Sequence, residues 1–307
     1  MKETVAIQPK VSVCVVTYNH EKYIRDCLES LVTQKTNFRF EVIVADDCSR
    51  DATKKIVSEY AERYPEIVKP VFHAQNVGAA KNYIFAHEQA CGEYIAHMDG
   101  DDYALPGKLQ SQVDYLDSHP KCNIVWHRMK LLSFSGDVLV DDLIDPQRIP
   151  KEGFSRGQLI RFITIGMNSS KMYRSSVRDF NLPDFPVVDY FINVEQIQDG
   201  TAAFSSNLPL GVYRVGIGVA SSGNLTKRIL RDSFDFFLKK YPHHRRDISF
   251  AASTLFLAAL KNRHWENVKV FLPIVFRSLS IFVIADIYSQ RHMVSMFKLP
   301  SQVRKVK

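Results

Sequence analysis

Short apolar runs alternate with stretches of helical periodicity along the first 132 residues. Residues 11–16 (Val-Ser-Val-Cys-Val-Val) form a β-rich run, and 40–45, 68–73, 94–98 and 123–132 repeat the pattern. Between them, 21–33, 52–64, 79–89 and 106–118 space their apolar residues as a helix does. In the first of these the stripe is Tyr23, Ile24, Cys27, Leu28, Leu31 and Val32. Asp51 is placed to cap the second helix, and Asn76, Val77 and Gly78 break the chain before the third. Runs that are mostly apolar suit strands covered on both faces. Strand and helix alternating over short connections predict an α/β fold with a mostly parallel central sheet and helices on both faces.

Ligands of such sheets collect at the carboxyl ends of the strands. Three polar clusters sit there: Thr17-Tyr18-Asn19, Asp46-Asp47, and Asp99-Gly100-Asp101-Asp102. Carboxylates this close raise one another's pKa unless a cation compensates them. A hard divalent ion does so, and it keeps waters and ligand phosphates in its shell. Gly100 lets the backbone turn sharply where its strand ends. The expectation is a metal–diphosphate site: Asp101 on the metal, Asp99 on a ribose hydroxyl or the metal, Asp46 or Asp47 on a base N–H, and Tyr18 beside the base. Lys81, at the head of the third helix, is placed to meet a phosphate. Asn19 and Asp102 complete the same clusters. No Gly-x-Gly-x-x-Gly and no Gly-x-x-x-x-Gly-Lys-Ser/Thr occurs, which argues against dinucleotide oxidoreductases and P-loop enzymes.

Composition narrows the class. The 307 residues are 46% hydrophobic and 24% charged, an ordinary globular balance. Five scattered cysteines without a Cys-x-x-Cys pair speak against a disulfide framework or a zinc site and suit a reducing cytosol. Residues 1–10 carry no apolar signal core. The net charge of +7 is uneven: residues 227–307 hold sixteen Lys/Arg against five Asp/Glu, giving +11, and the first 226 give −4. A basic tail on a slightly acidic body points to an anionic partner.

The segments 11–19, 42–51, 76–82 and 92–102 resemble, in order, the successive signatures of the family 2 inverting glycosyltransferases, which have the GT-A fold. The resemblance covers roughly residues 10–220. It implies an Asp-x-Asp motif, here Asp99 and Asp101, that binds Mn2+ or Mg2+ with the diphosphate of a nucleotide-sugar. Asp47 matches the base-binding position, Thr17 and Tyr18 the base-pocket loop, and Lys81 a position usually held by Arg or Lys. Cys48 stands where Gly is common.

Residues 166–174 resemble the strand beneath the acceptor, and 187–190 the segment carrying the catalytic base. Many members have Glu-Asp there; this chain has Val188-Asp189. Inverting transfer needs one general base for the acceptor hydroxyl. Asp189 is the expected base, Asp184 its rival and Glu195 a weaker one; the alternative role for Asp189 is an N-cap. Tyr213-Arg214 resembles the family's closing segment, but Val215-Gly216 replaces the His that many members carry next. Arg214 is read either as positive charge for the diphosphate or as half of a structural ion pair. The glycine-rich run 216–223 is read as a lid over the donor or a linker. Trp126 and His127 face either the acceptor or the core, and Asp141, Asp142 and Asp145 are read as solvated.

Beyond residue 224 the pattern is helical and basic. The apolar run 268–287 is interrupted by Lys269, Pro273, Arg277 and Asp286, so its longest charge-free stretch falls short of a membrane span. These helices are expected to pack on the sheet or a partner, or to lie on a membrane face; no nucleic-acid module is present. The expected organisation is a GT-A domain over 1–223, with a nucleotide-sugar-binding half (10–132) and an acceptor half (133–223), and a helical extension over 224–307. The expected activity is metal-dependent sugar transfer from a nucleotide-sugar, UDP first and dTDP or GDP next, to a glycan or lipid-linked hydroxyl. It would serve cell-surface polysaccharide or glycolipid synthesis, in the cytoplasm or at the inner membrane face. A non-catalytic nucleotide-sugar binder and a sugar-phosphate nucleotidyltransferase are the alternatives.

Overall fold

The structure, a computed structural model, describes residues 8–217 and 223–303. Apolar runs become strands where the sequence places them: β1 (Val11–Thr17), β2 (Phe40–Asp46), β3 (Val68–Phe72) and β4 (Tyr94–Asp99). Between them run α1 (Ile24–Val32), α2 (Thr53–Arg63) and α3 (Ala79–Glu88). The four strands pair in parallel in the order β3-β2-β1-β4. Val11, Val13 and Val15 of β1 are fully covered, as are Cys14 between them and Val42 and Val44 of β2. A strand covered on both faces needs no polar alternation, which is why these runs read as continuous apolar stretches.

The second half departs from simple alternation. After β5 (Tyr103–Ala104) and α4 (Lys108–Ser118) comes the long β6 (Cys122–Leu132), with β7 (Leu139–Asp141) along its end. The short β8 (Met172–Arg174) inserts antiparallel between β4 and β6, and β9 (Thr201–Arg214) lies parallel to β6 and antiparallel to β5. The sheet is therefore parallel in its first half and mixed in its second. Register shifts around Trp126 and Arg128 bend β6 against β9.

The remaining helices close one end. α5 (Arg156–Phe162) opens on a capping box between Ser155 and Gln158, and α6 (Asp189–Gln196) follows β8. The chain ends in α7 (Gly223–Lys240), α8 (Arg245–Lys261), α9 (Trp265–Ser278), α10 (Val283–Ser289) and α11 (Arg291–Met296). An aromatic seam joins α7 to α6: Phe191 stacks on Phe237 at 5.2 Å, and Tyr190 meets Phe234 and Phe237 edge-on. Phe271 and Ile274 of α9 belong to this same core. The tail helices thus bury the outer side of α6 and fix where its first residue points.

Candidate active site

The ends of β1, β2 and β4 stand side by side. Thr17 pairs with Asp46 in the sheet register, and Val16 with Asp99. The three polar clusters therefore meet at one edge, as carboxyl-end geometry requires.

Each cluster is held differently. Asp46 is buried and accepts hydrogen bonds from the backbone N–H (3.1 Å) and the hydroxyl of Ser49. Asp47 is also buried; its two oxygens accept the N–H groups of Val77 (2.6 Å) and Gly78 (2.9 Å). It thereby ties the loop before α3 to the end of β2, with the Asn76 amide on its carbonyl at 3.1 Å. Thr17 is buried, its hydroxyl 3.2 Å from His20 Nδ1, while Tyr18 and Asn19 are exposed. Asn19 has φ 54° and its side chain accepts the Arg50 N–H at 2.8 Å, so this left-handed residue joins the first loop to the second. Lys81 is exposed on the first turn of α3 and forms no ion pair among the described residues.

The acidic turn after β4 is the most constrained part. Gly100 donates its N–H to the Val16 carbonyl at 2.9 Å. A Cβ there would lie 2.8 Å from both Cβ and Oγ1 of Thr17 and 3.0 Å from His20 Nδ1, so the position admits only glycine without movement. Asp102 is fully buried, accepting the Arg214 N–H (2.8 Å) and the Ser169 hydroxyl (2.5 Å). Burial and the neighbouring Asp101 and Asp99 push its pKa well up. Its geometry makes it a brace for the turn. The Arg214 guanidinium donates to the Asp101 carbonyl (2.5 Å) and to Asp26 (2.6 Å) and lies between the rings of Tyr23 and Tyr103. Of its two expected roles, the structure shows the ion pair.

Asp99 receives a buried chain of donors. Its carboxylate lies 3.1 Å from His97 Nε2 and accepts the Ser169 hydroxyl at 3.2 Å. Behind it, His97 Nδ1 lies 3.0 Å from His87 Nε2, and His87 Nδ1 lies 2.8 Å from the Tyr173 hydroxyl. With Asp99 as the terminal acceptor, one assignment of protons satisfies all three contacts: Tyr173 donates to His87, His87 to His97, and His97 to Asp99. Burial drives the His87 pKa well down, aided by His97, consistent with a neutral ring. For Asp99 itself burial works upward, but His97 and the two hydrogen bonds outweigh it and the pKa falls. Neither histidine was singled out from the sequence as a site residue. The available signal was that His97 and Asp99, two apart on one strand, share a face.

Asp101 is the reverse case. Burial first, then Asp99, raises its pKa to about 7. Within the described residues its carboxylate has no side-chain hydrogen-bond partner; the Arg214 guanidinium bonds its carbonyl and draws the pKa only partly back. A lowered and a raised carboxylate side by side, the second only partly offset by Arg214, are the donor set that a hard divalent cation would complete. No group of three or more His, Cys, Asp or Glu side chains among the described residues forms a protein-only metal site. The residues fit an ion of the kind that takes one or two carboxylates and leaves its other positions to phosphates and water.

Asp189 is the first residue of α6; Val188 is the N-cap, so the capping alternative is replaced by a position inside the first turn. One carboxylate oxygen accepts the Tyr190 N–H at 2.9 Å. Burial raises its pKa; Lys171 and His97 pull it back and Asp99 pushes it further, so its charge is coupled to the acidic turn. The Tyr190 hydroxyl, donating to the Ile160 carbonyl at 3.2 Å, anchors the turn behind it. Lys171 is wholly buried, its ammonium donating to Gln196 Oε1 at 2.6 Å, and burial brings its pKa down to about 7. Of the rivals, Asp184 is exposed, and Glu195 is bound by Lys240 and by the Tyr241 hydroxyl (3.0 Å). Trp126 is in the core, packed against Gly166, and His127 is buried between Lys108 (3.1 Å) and the Arg128 carbonyl. Asp142, expected to be solvated, is instead buried against Arg128 at 2.8 Å, because β6 needs an acceptor for that guanidinium and for the Met129 N–H. Residues 218–222 of the expected lid lie outside the described residues.

The fold is the GT-A fold of nucleotide-diphospho-sugar transferases. The model of glycosyl transferase family 2 matches residues 12–174, and the chain belongs to that family. An uncharacterised protein of Mycobacterium tuberculosis is 34% identical over 205 residues, covering 66% of this chain and 58% of that protein. The chain thus spans under two thirds of that relative's length. Among solved structures, S. aureus TarS residues 1–349 with UDP-GlcNAc superposes at TM-score 0.65 and 22% identity, covering 94% of this chain and 89% of that one. The mannosyltransferase PcManGT of Pyrobaculum calidifontis, with GDP-Man and Mn2+, gives 0.58 at 19% identity over 95% and 85%.

Proposed function

We propose that the protein is an inverting, metal-dependent glycosyltransferase that moves a sugar from a UDP-sugar to a hydroxyl of a glycan or lipid-linked acceptor. The reading extends to cell-surface polysaccharide or glycolipid assembly at the inner membrane face, with 1–223 as the transferase domain and 224–307 as its helical extension. The observation that carries it is the pairing of Asp99, which accepts a hydrogen bond from Ser169 and lies 3.1 Å from His97, with Asp101, whose carboxylate has no side-chain hydrogen-bond partner among the described residues. TarS, named a poly(ribitol-phosphate) β-N-acetylglucosaminyltransferase, supports the choice of donor and of a polyol or glycan acceptor.

In this reading Asp101 and Asp99 would hold Mn2+ or Mg2+, which supplies charge neutralisation to the leaving diphosphate. Tyr18 and Asn19 border the base, with Asp46 and Asp47 shaping its pocket, and Lys81 faces the phosphates. Asp189 takes the acceptor proton as the new bond forms. Its raised pKa makes it a better proton acceptor than an exposed aspartate.

Asp189→Asn tests the base. It keeps the contact to the Tyr190 N–H and the volume. The expected result is unchanged donor binding by calorimetry with transfer reduced roughly 1000-fold, within the range of general-base losses. Normal transfer in that variant assigns the base elsewhere, with Asp184→Asn as the next variant.

A further inference from the structure

Among the described residues, fifteen large hydrophobic side chains are exposed, and eight of them lie between Trp265 and Tyr288. Six of these eight, from Phe276 to Tyr288, lie around the elbow where α9 turns into α10. Ile281 is 89% exposed, Ile284 79% and Phe276 68%, with Leu279, Phe282 and Tyr288 beside them. Such a contiguous apolar apex marks an interaction surface rather than ordinary scatter.

The elbow is also free of uncompensated charge. From Ser278 to Gln290 the one Asp, Glu, Lys, Arg or His is Asp286, which is buried and held by two hydrogen bonds from Arg246 at 2.6 and 2.7 Å. The charges stand around the rim. Arg246 lies over the Phe282 ring, Arg291 over the Tyr288 ring, and Arg277 is paired with Asp235 at the base. Aromatic residues between an apolar apex and a cationic rim are the arrangement of a side chain set that enters the acyl boundary and stops at the headgroups. α9 and α10 together have the composition of a span, but they bend by 113°, and no single described helix is long and apolar enough to cross. Fourteen residues of α9 reach only about 21 Å, against a hydrocarbon core of about 30 Å.

We infer that the α9–α10 elbow inserts into an anionic lipid surface, with Ile281 and Ile284 at its apex and Arg291 at the headgroups. Charge selects this occupant over a second copy of the chain. Residues 227–307 carry +11, and pairing two elbows would bring two such regions together. The inference gives the membrane part of the proposed function a specific surface, and it does not depend on the chemistry at Asp99 and Asp101.

The full chain is sedimented with phosphatidylcholine vesicles and with vesicles containing phosphatidylglycerol. Binding is expected to the anionic vesicles, weaker binding to the neutral ones, and loss on raising salt. Ile281→Glu with Ile284→Glu should lower partitioning roughly tenfold or more, since charge at an inserted position is costly. Both side chains are exposed, so melting temperature and donor-induced thermal shift should be unchanged, which separates this result from any failure of the transferase reading. Equal sedimentation of the double variant, or no sedimentation with anionic vesicles, overturns the inference. A concentration-dependent dimer that the double variant abolishes, without vesicle binding, overturns it in favour of self-association.

Discussion

His97 Nε2 lies 3.1 Å from the carboxylate of Asp99, two residues along the same strand and wholly buried behind it. The contact ends a chain that starts at the Tyr173 hydroxyl, and the proton assignment that satisfies all its contacts points each donor toward the site. Hydrogen bonds in such a chain polarise one another.

Replacing His97 by Leu removes the donor that holds Asp99 anionic. Because a charge-assisted hydrogen bond is worth about 1.5–3 kcal/mol, donor KM is expected to rise about tenfold or more. The turnover number at saturating donor should fall less. His97→Gln, which retains an N–H, should recover part of the loss. Steady-state kinetics on the three proteins checks this, and an unchanged KM in the Leu variant contradicts the positioning role.

Gly100→Ala places a methyl group against Thr17 and His20, both within 3.0 Å. The turn between Asp99 and Asp101 must shift, at a stability cost of about 1–3 kcal/mol. Urea midpoints measure the cost, and the donor-induced thermal shift should shrink with it. A variant with wild-type stability and donor response would mean the turn has more room than the structure gives it.

Lys171 supplies the pH dependence of stability. Its folded pKa is drawn down to about 7 by burial, with Asp189 opposing, whereas an unfolded lysine titrates near 10.4. Between these values the unfolded state binds more protons, so stability rises with pH. Lys171→Met removes that slope. The wild type should gain about 2 kcal/mol on the variant between pH 7 and 9 in urea unfolding. A difference that does not change with pH contradicts a neutral amine at that position.

The parallel half of the sheet was legible because its strands are buried on both faces and its loops collect carboxylates. Asp46, Asp47, Asp99 and Asp101 were all placed at one edge by that logic. The second half was less so. β8 has three residues, β5 two, and neither run is long enough to show a period. Lys108 and Lys171 are charged in the sequence and wholly buried in the fold, which no local pattern announces. Cys48 shows the opposite: its φ of 62° explains why glycine is common at that turn, and the strain follows from the backbone rather than the side chain's chemistry. The elbow at 276–288 lies largely within what read as an interrupted apolar run; the 113° bend breaks that run and the exposures show which of its residues face outward.

The central claim is that Asp99 and Asp101 form a donor site completed by a divalent ion. Thermal shift with UDP-, dTDP- and GDP-sugars, each with and without Mn2+, tests it most directly. At a hundredfold excess over the dissociation constant a bound donor adds about 2.7 kcal/mol of stability. A Mn2+-dependent shift with UDP-sugars, absent in Asp101→Ala, is the expected result. No shift with any donor, or an equal shift in Asp101→Ala, would contradict it.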